Sequence, residues 1–156
     1  MGQELLAVMG EMILLHEKLI VLSEEKQEAL VERDVKRLTE VINKEKELLQ
    51  ELRDREEKRL QITEKLAGRT DQTLQDVLGL LSPPVKRMVE NRAADLKEKA
   101  EKLQRMNDLN EELLRDGMAF IHHMIGHLTT TNQSITYGRP NQKPLQTPRG
   151  YFDTKA

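Results

Sequence analysis

The chain has 156 residues, of which 33% are charged and only 3% aromatic, with no cysteine and a formal net charge of -2. That composition suits long amphipathic helices rather than an enzyme core, and it excludes disulfides and thiolate chemistry. The near-neutral balance supplies no overall field toward nucleic acid or anionic lipid.

The first residues carry Glu4 and Glu11 and no Lys or Arg, which is unlike a secretory signal. From Gln3 to about Glu32, Leu5, Leu6, Val8, Met9, Met12, Ile13, Leu15, Leu19, Ile20, Leu22, Ala29 and Leu30 recur at threes and fours, which predicts a helix. Its first two-thirds are apolar over more than a narrow seam and need cover on several sides. Asp34 fits the N-cap of a second helix. That helix carries Val35, Leu38, Val41, Ile42, Leu48, Leu49, Leu52, Leu60, Thr63 and Leu66 and stops at Gly68. No Gly or Pro marks the junction near Arg33, so a break and a kink are both open there.

Gly68 to Thr73 reads as a loop, and Thr73 with Asp76 forms a capping-box pattern opening a short helix through Leu81. Ser82 followed by Pro83 and Pro84 is a helix start. The last long helix is expected to end near Leu128. Its seam is Val85, Val89, Leu96, Ala100, Leu103, Asn107, Asn110, Leu114, Ile121, Ile125 and Leu128. Asn107 and Asn110 read best as a buried polar pair that fixes register, with a ligand role as the alternative. After Thr129 periodicity ends and Pro140, Pro144 and Pro148 appear, so 129–156 is expected to be a disordered tail. The fold expected is all-α: an elongated antiparallel bundle (1–128) of three long helices and one short one, with that tail. The last helix has to overhang if it is to match the other two.

Nothing in the chain resembles a nucleophile elbow or a P-loop, and there are only three serines, Ser23, Ser82 and Ser134. Carboxylates alternate with Lys and Arg, as in Glu45-Lys46-Glu47 and Arg55-Glu56-Glu57-Lys58-Arg59, and read as a solvated face rather than an acid–base pair. His123 and His127 share a helix face, with His122 beside them. Two ligands are half a zinc site, and imidazoles at a helix end are the plainer reading. No catalytic residue, metal site or cofactor is expected.

The segment Gly117 to Leu128 is more informative. Met118, Ala119, Phe120, Ile121, Met124, Ile125 and Leu128 are apolar around most of the helix. The segment is too short and polar, with its three His, to span a bilayer. One face belongs to the core. The rest, Phe120 and Met124 included, marks a partner-binding surface suited to flexible Met side chains. Self-association and cover from the first helix are the alternatives. Of the four aromatics, Phe120, Tyr137, Tyr151 and Phe152, three lie in the tail. Tyr151 and Phe152 are candidate anchors for a partner, unless the tail packs back over the apolar strip.

The sequence resembles the FlgN family of flagellar type III export chaperones over most of its length. The resemblance rests on the order of parts. An N-terminal helix runs through Lys26-Gln27-Glu28-Ala29-Leu30-Val31, followed by a Glu/Lys/Leu helix and a Pro-started helix with Leu109-Asn110-Glu111-Glu112-Leu113-Leu114 and Phe120-Ile121. The tail elements are Thr136-Tyr137-Gly138 and Phe152-Asp153-Thr154-Lys155-Ala156. It implies a cytoplasmic chaperone for hook-associated proteins, the proteins of the hook–filament junction. The carboxy-terminal region would hold the substrate's terminal helical segment, prevent premature assembly and deliver it to the ATPase complex and export gate. It also implies that a tail tyrosine contacts the gate, Tyr137 being the matching position and Tyr151 the alternative. On the residues themselves, Met118, Phe120, Ile121, Met124, Ile125 and Leu128 are the candidate substrate groove, a helix laid on an apolar face being a common recognition mode. With no nucleotide site in the sequence, release is expected through handover. The competing readings are a structural coiled coil that oligomerises through its Leu seam and a membrane-surface helix over Met1 to Leu22. The acidic Glu4, Glu11 and Glu17 oppose the latter. No nucleic-acid partner and no stable membrane insertion are expected.

Overall fold

Apolar side chains at threes and fours wind the first segment into α1, Gly2–Glu32. It is followed by α2, Val35–Ala67, the five-residue α3, Leu74–Leu78, and α4, Pro83–Ile135. The computed structural model describes residues 1–135, with side chains to residue 129. No strand occurs among the described residues. The chain divides at Glu111: Met1–Glu111 is one unit, and the second begins at Glu112.

The junction between α1 and α2 is a clean break. Arg33 takes the left-handed conformation at φ 57. Its N–H donates to the Leu30 carbonyl at 3.3 Å, and that of Asp34 donates to Ala29 at 2.9 Å, the paired bonds of a Schellman stop. Asp34 is then the N-cap of α2, its carboxylate accepting from the Arg37 amide at 3.1 Å. An arginine in this conformation costs about 1 kcal/mol that a glycine would not, and because the stop is made by arginine the sequence carries no glycine signal for the turn. At the other end of α2, Gly68 sits at φ 68 and donates to Glu64 at 2.7 Å.

Thr73 opens α3 by donating its backbone N–H (3.1 Å) and its hydroxyl (2.9 Å) to the Asp76 carboxylate. The helix stops at Leu78, short of the expected Leu81. Leu80 and Leu81 instead donate to Val77 and Leu78 in three-residue turns, and the backbone before the Pro83-Pro84 pair disfavours helix. α4 starts as expected, with Lys86 donating to the Ser82 carbonyl at 2.8 Å. It runs beyond the expected end at Leu128 to Ile135, so 129–135 is helix where a tail was expected. Extending an existing helix costs far less than starting one, no Gly or Pro intervenes before Gly138, and the Thr129 hydroxyl donates to Ile125 at 2.7 Å.

In the first unit α1 is central. Lys26–Glu45 (3.1 Å), Glu28–Arg37 (2.7 Å) and Glu11–Arg55 (2.5 Å) show α2 running antiparallel to it. On the other side Glu17–Lys99 (3.3 Å), Leu6–Arg92 and Ser23–Asn110 show α4 running parallel to α1. The result is an up-down-up bundle. Its core gathers where the first turns of α1 and α4 meet the end of α2 and α3: Leu5, Leu6, Val8, Met9, Met12, Ile62, Val77 and Val89. Each fully buried aliphatic side chain there contributes about 1.5–3 kcal/mol. A methyl added at Gly2 would stand 2.9 Å from Val85 Cγ1, a measure of how closely α1 and α4 approach. The apolar face of α1 is thereby spent on the core, which leaves the membrane-surface reading of Met1 to Leu22 without its surface.

Two polar side chains of α1 are buried with their bonds arranged. His16 donates from Nδ1 to the Met12 carbonyl at 2.8 Å. The Ser23 hydroxyl donates to Asn107 Oδ1 at 3.2 Å, while its carbonyl accepts from Asn110 Nδ2 at 2.9 Å. The expected Asn pair thus does join the helices, but only Asn110 is buried and Asn107 is exposed. Asn107 reaches inward through its side-chain oxygen, and Ser23 is the partner the sequence did not disclose. Lys99 is held by Glu17 and by Asp95 at 3.4 Å, and hydrogen bonding first to Glu17 and then to Asp95 raises its pKa above the ordinary 10.5.

Candidate functional site

The candidate binding residues all lie on one stretch of α4, within the second unit. Among the described residues from Glu111 to Thr129 none is buried. Met118 is 50% exposed, Phe120 41%, Ile121 51%, Met124 46% and Leu128 56%, while Ile125 is half-buried. Leu114, 39% exposed, joins them one turn earlier.

Helical geometry brings these side chains together. At about 100° per residue, Leu114, Met118, Ile121, Ile125 and Leu128 form one stripe, and Phe120 and Met124 extend it on one side to an arc of roughly 160°. The stripe follows a four-three-four-three spacing, which keeps it on one face along the whole segment. The opposite face carries Glu112, Arg115, Asp116, Ala119, His122, His123 and His127. The three histidines are therefore on the polar side, and no group of three or more His, Asp or Glu placed to hold a metal occurs among the described residues. The arrangement offers an uncharged, contiguous apolar surface whose Met and aromatic side chains adapt to a partner's shape. It contains no nucleophile and no acid–base pair.

The first unit offers less. Between α1 and α2 a shallow slot is lined by Val21, Leu22 and Leu48, with Lys18, Lys44 and Glu47 at its rim. Leu22 is buried there but Val21 is 52% exposed, so the slot presents a small, mainly apolar surface. Tyr137, Tyr151 and Phe152 lie outside the described residues. No helix among the described residues is long and apolar enough to cross a membrane.

A helical bundle whose last helix carries an exposed apolar arc has the form of a protein-binding module rather than of a catalyst. The chain belongs to the FlgN family, whose pattern (FlgN protein) it matches over residues 1–144. It is thus a flagellar export chaperone in the general sense of that family, whose members bind flagellar substrate proteins and are not enzymes. The Bacillus subtilis (strain 168) protein described as "Uncharacterized protein YvyG" is 28% identical over 145 residues, covering 91% of each chain. No solved structure matches the chain significantly.

Proposed function

We propose that the protein is a cytoplasmic chaperone for the hook-associated proteins of the hook–filament junction. The arc of Met118, Phe120, Ile121, Met124, Ile125 and Leu128 holds the terminal helical segment of the substrate, which keeps that segment from assembling too early. The segment after the last helix then brings the loaded chaperone to the ATPase complex and the export gate. Tyr137 makes the gate contact, and Tyr151 and Phe152 act as further anchors. Release follows from handover of the substrate to the gate.

The observation that carries this reading is the arc itself: large apolar side chains left about half exposed on one face of a helix, in a family of export chaperones. A soluble helix that keeps such a face open does so for a partner. Titration calorimetry of the full-length chain with a purified hook-associated protein tests it, with saturable one-to-one binding expected. Absence of binding would overturn the reading. Tyr137→Ala is expected to leave that binding unchanged and to weaken pull-down by the cytosolic domain of the export gate. A pull-down indifferent to the substitution would remove Tyr137 from its role.

A further inference from the structure

We infer that residues 97–110 of α4 form a strap that lifts off α1 while the rest of the first unit stays folded, uncovering Ile20, Leu103 and Met106. The device belongs to the first unit alone and does not depend on what binds the arc.

The contact between α1 and α4 changes chemistry along its length. At its start, Leu5, Leu6 and Met9 of α1 and Val89 of α4 are buried together, with Val85, Ala93 and Leu96 packed against them. The two helices are close there: a Cβ built at Gly2 would stand 2.9 Å from Val85 Cγ1, and one at Gly10 3.2 Å from the Arg92 guanidinium. Farther along α1, His16, Ile20, Ser23 and Gln27 recur three and four apart, so they share the face that Ser23 turns to α4. Three of those four are polar. Opposite them, Asn110 is the one buried residue of 97–110, and Leu103 and Met106 are half-buried. Leu103 lies seven residues before Asn110, and Met106 seven after Lys99. Both therefore face α1, as Asn110 and Lys99 do.

Packing loosens at the same level. A slot of about 270 Å³ opens between the two helices beside Ile20, walled by Glu17, Glu98, Lys99, Lys102 and Arg105. The printed ties across this stretch are polar: Glu17 to Lys99 at 3.3 Å, the Ser23 hydroxyl to Asn107 at 3.2 Å, and Asn110 Nδ2 to the Ser23 carbonyl at 2.9 Å. Ion pairs at the surface and single hydrogen bonds hold less than buried aliphatic contacts do. Asn110 Oδ1 is buried without a hydrogen-bond partner, a cost of the closed state that water removes when the strap lifts. A stretch held by polar ties beside a packed core is where a folded protein opens locally. α2 keeps its own hold on α1 at this level. Leu15 and Leu22 are buried on the face shared with Glu11 and Lys26, which pair with Arg55 and Glu45 of α2.

The chain has no cysteine, so Ile20→Cys and Met9→Cys, each made alone in the full-length protein, give one thiol apiece. The first reports on the strap and the second on the core. Their rates of reaction with an aromatic disulfide reagent are read in native buffer, with circular dichroism confirming the fold. Asn110→Asp keeps the side chain's shape and sets a carboxylate oxygen against the Ser23 carbonyl, which disfavours the closed strap. It is expected to speed labelling at Ile20→Cys at least tenfold. Val89→Ala weakens the core, whose contacts are the same with the strap closed or lifted. It is expected to speed labelling at Met9→Cys at least fivefold and to leave Ile20→Cys within twofold. Leu5→Val takes its place, with the same expectations, if Val89→Ala does not fold. Should the core substitution accelerate both thiols alike, Ile20 is reached only by unfolding of the whole unit and the strap is wrong. Labelling at Ile20→Cys that stays within twofold after Asn110→Asp would overturn it as well.

Discussion

Replacing Phe120 and Met124 together with Ala strips one flank of the apolar arc, and its cost can be worked from their exposure. Phe120 is 41% exposed and Met124 46%, so a partner that covers both removes roughly 80–90 Å² from water at each, worth about 2 kcal/mol per side chain at about 25 cal/mol per Å². Alanine recovers part of that, and association never realises the whole of it. A combined loss of about 2–3 kcal/mol remains, roughly a 30- to 150-fold weaker dissociation constant. Neither residue is buried in the free chain, and Ala is the best helix former, so helix content and melting temperature should not fall. Calorimetry with a purified hook-associated protein reads the affinity, and far-ultraviolet circular dichroism reads the helix. An affinity within threefold of the unsubstituted chain, with helicity intact, would refute the assignment of this surface to substrate.

Other expected outcomes concern the scaffold. Arg33→Gly should stabilise the protein by about 0.5–1 kcal/mol in urea denaturation, since glycine adopts the left-handed stop without strain, whereas destabilisation would mean the arginine side chain matters more than its backbone. Asp34→Ala should cost about 1 kcal/mol in the same assay, through loss of the cap on the Arg37 amide. Leu5→Ala, at a site with 0% exposure in the core, should cost about 2–5 kcal/mol. Lys99→Met should lower the melting temperature slightly at pH 8. Because Glu17 and then Asp95 raise the Lys99 pKa, the contribution of the charged lysine is complete below its ordinary 10.5 and is lost as pH rises through the raised value. The difference between the two proteins should therefore vanish only in strongly alkaline solution, and a difference that disappears near neutrality would contradict the pairing.

Much of this architecture is legible in the sequence because long helices write their periodicity plainly. The three-four spacing from Leu5 to Leu22, the Thr73–Asp76 box and the Ser82-Pro83 start all map onto helices or caps. The clean break at Arg33 is not legible, because a left-handed stop made by arginine carries no Gly or Asn signature and is enforced by the two backbone bonds to Leu30 and Ala29. The extension of α4 past Leu128 is missed for a related reason: three successive threonines are poor helix formers in isolation, but they follow a helix already formed. The polarity of Asn110 hints at a contact, yet Ser23, its partner on α1, looks in sequence like any serine on a helix. At the candidate site the sequence gives the residues and their common face. What it does not give is the extent of exposure, which depends on how much of the helix the rest of the chain covers.

Hydrogen–deuterium exchange on the full-length chain, with and without saturating hook-associated protein, addresses the role of this surface most directly. Amide protection should rise over residues 114–128 of α4 on binding, while α1 and α2 exchange as before. Protection that appears instead along the slot between α1 and α2, or none at all over Leu114 to Leu128, would contradict it.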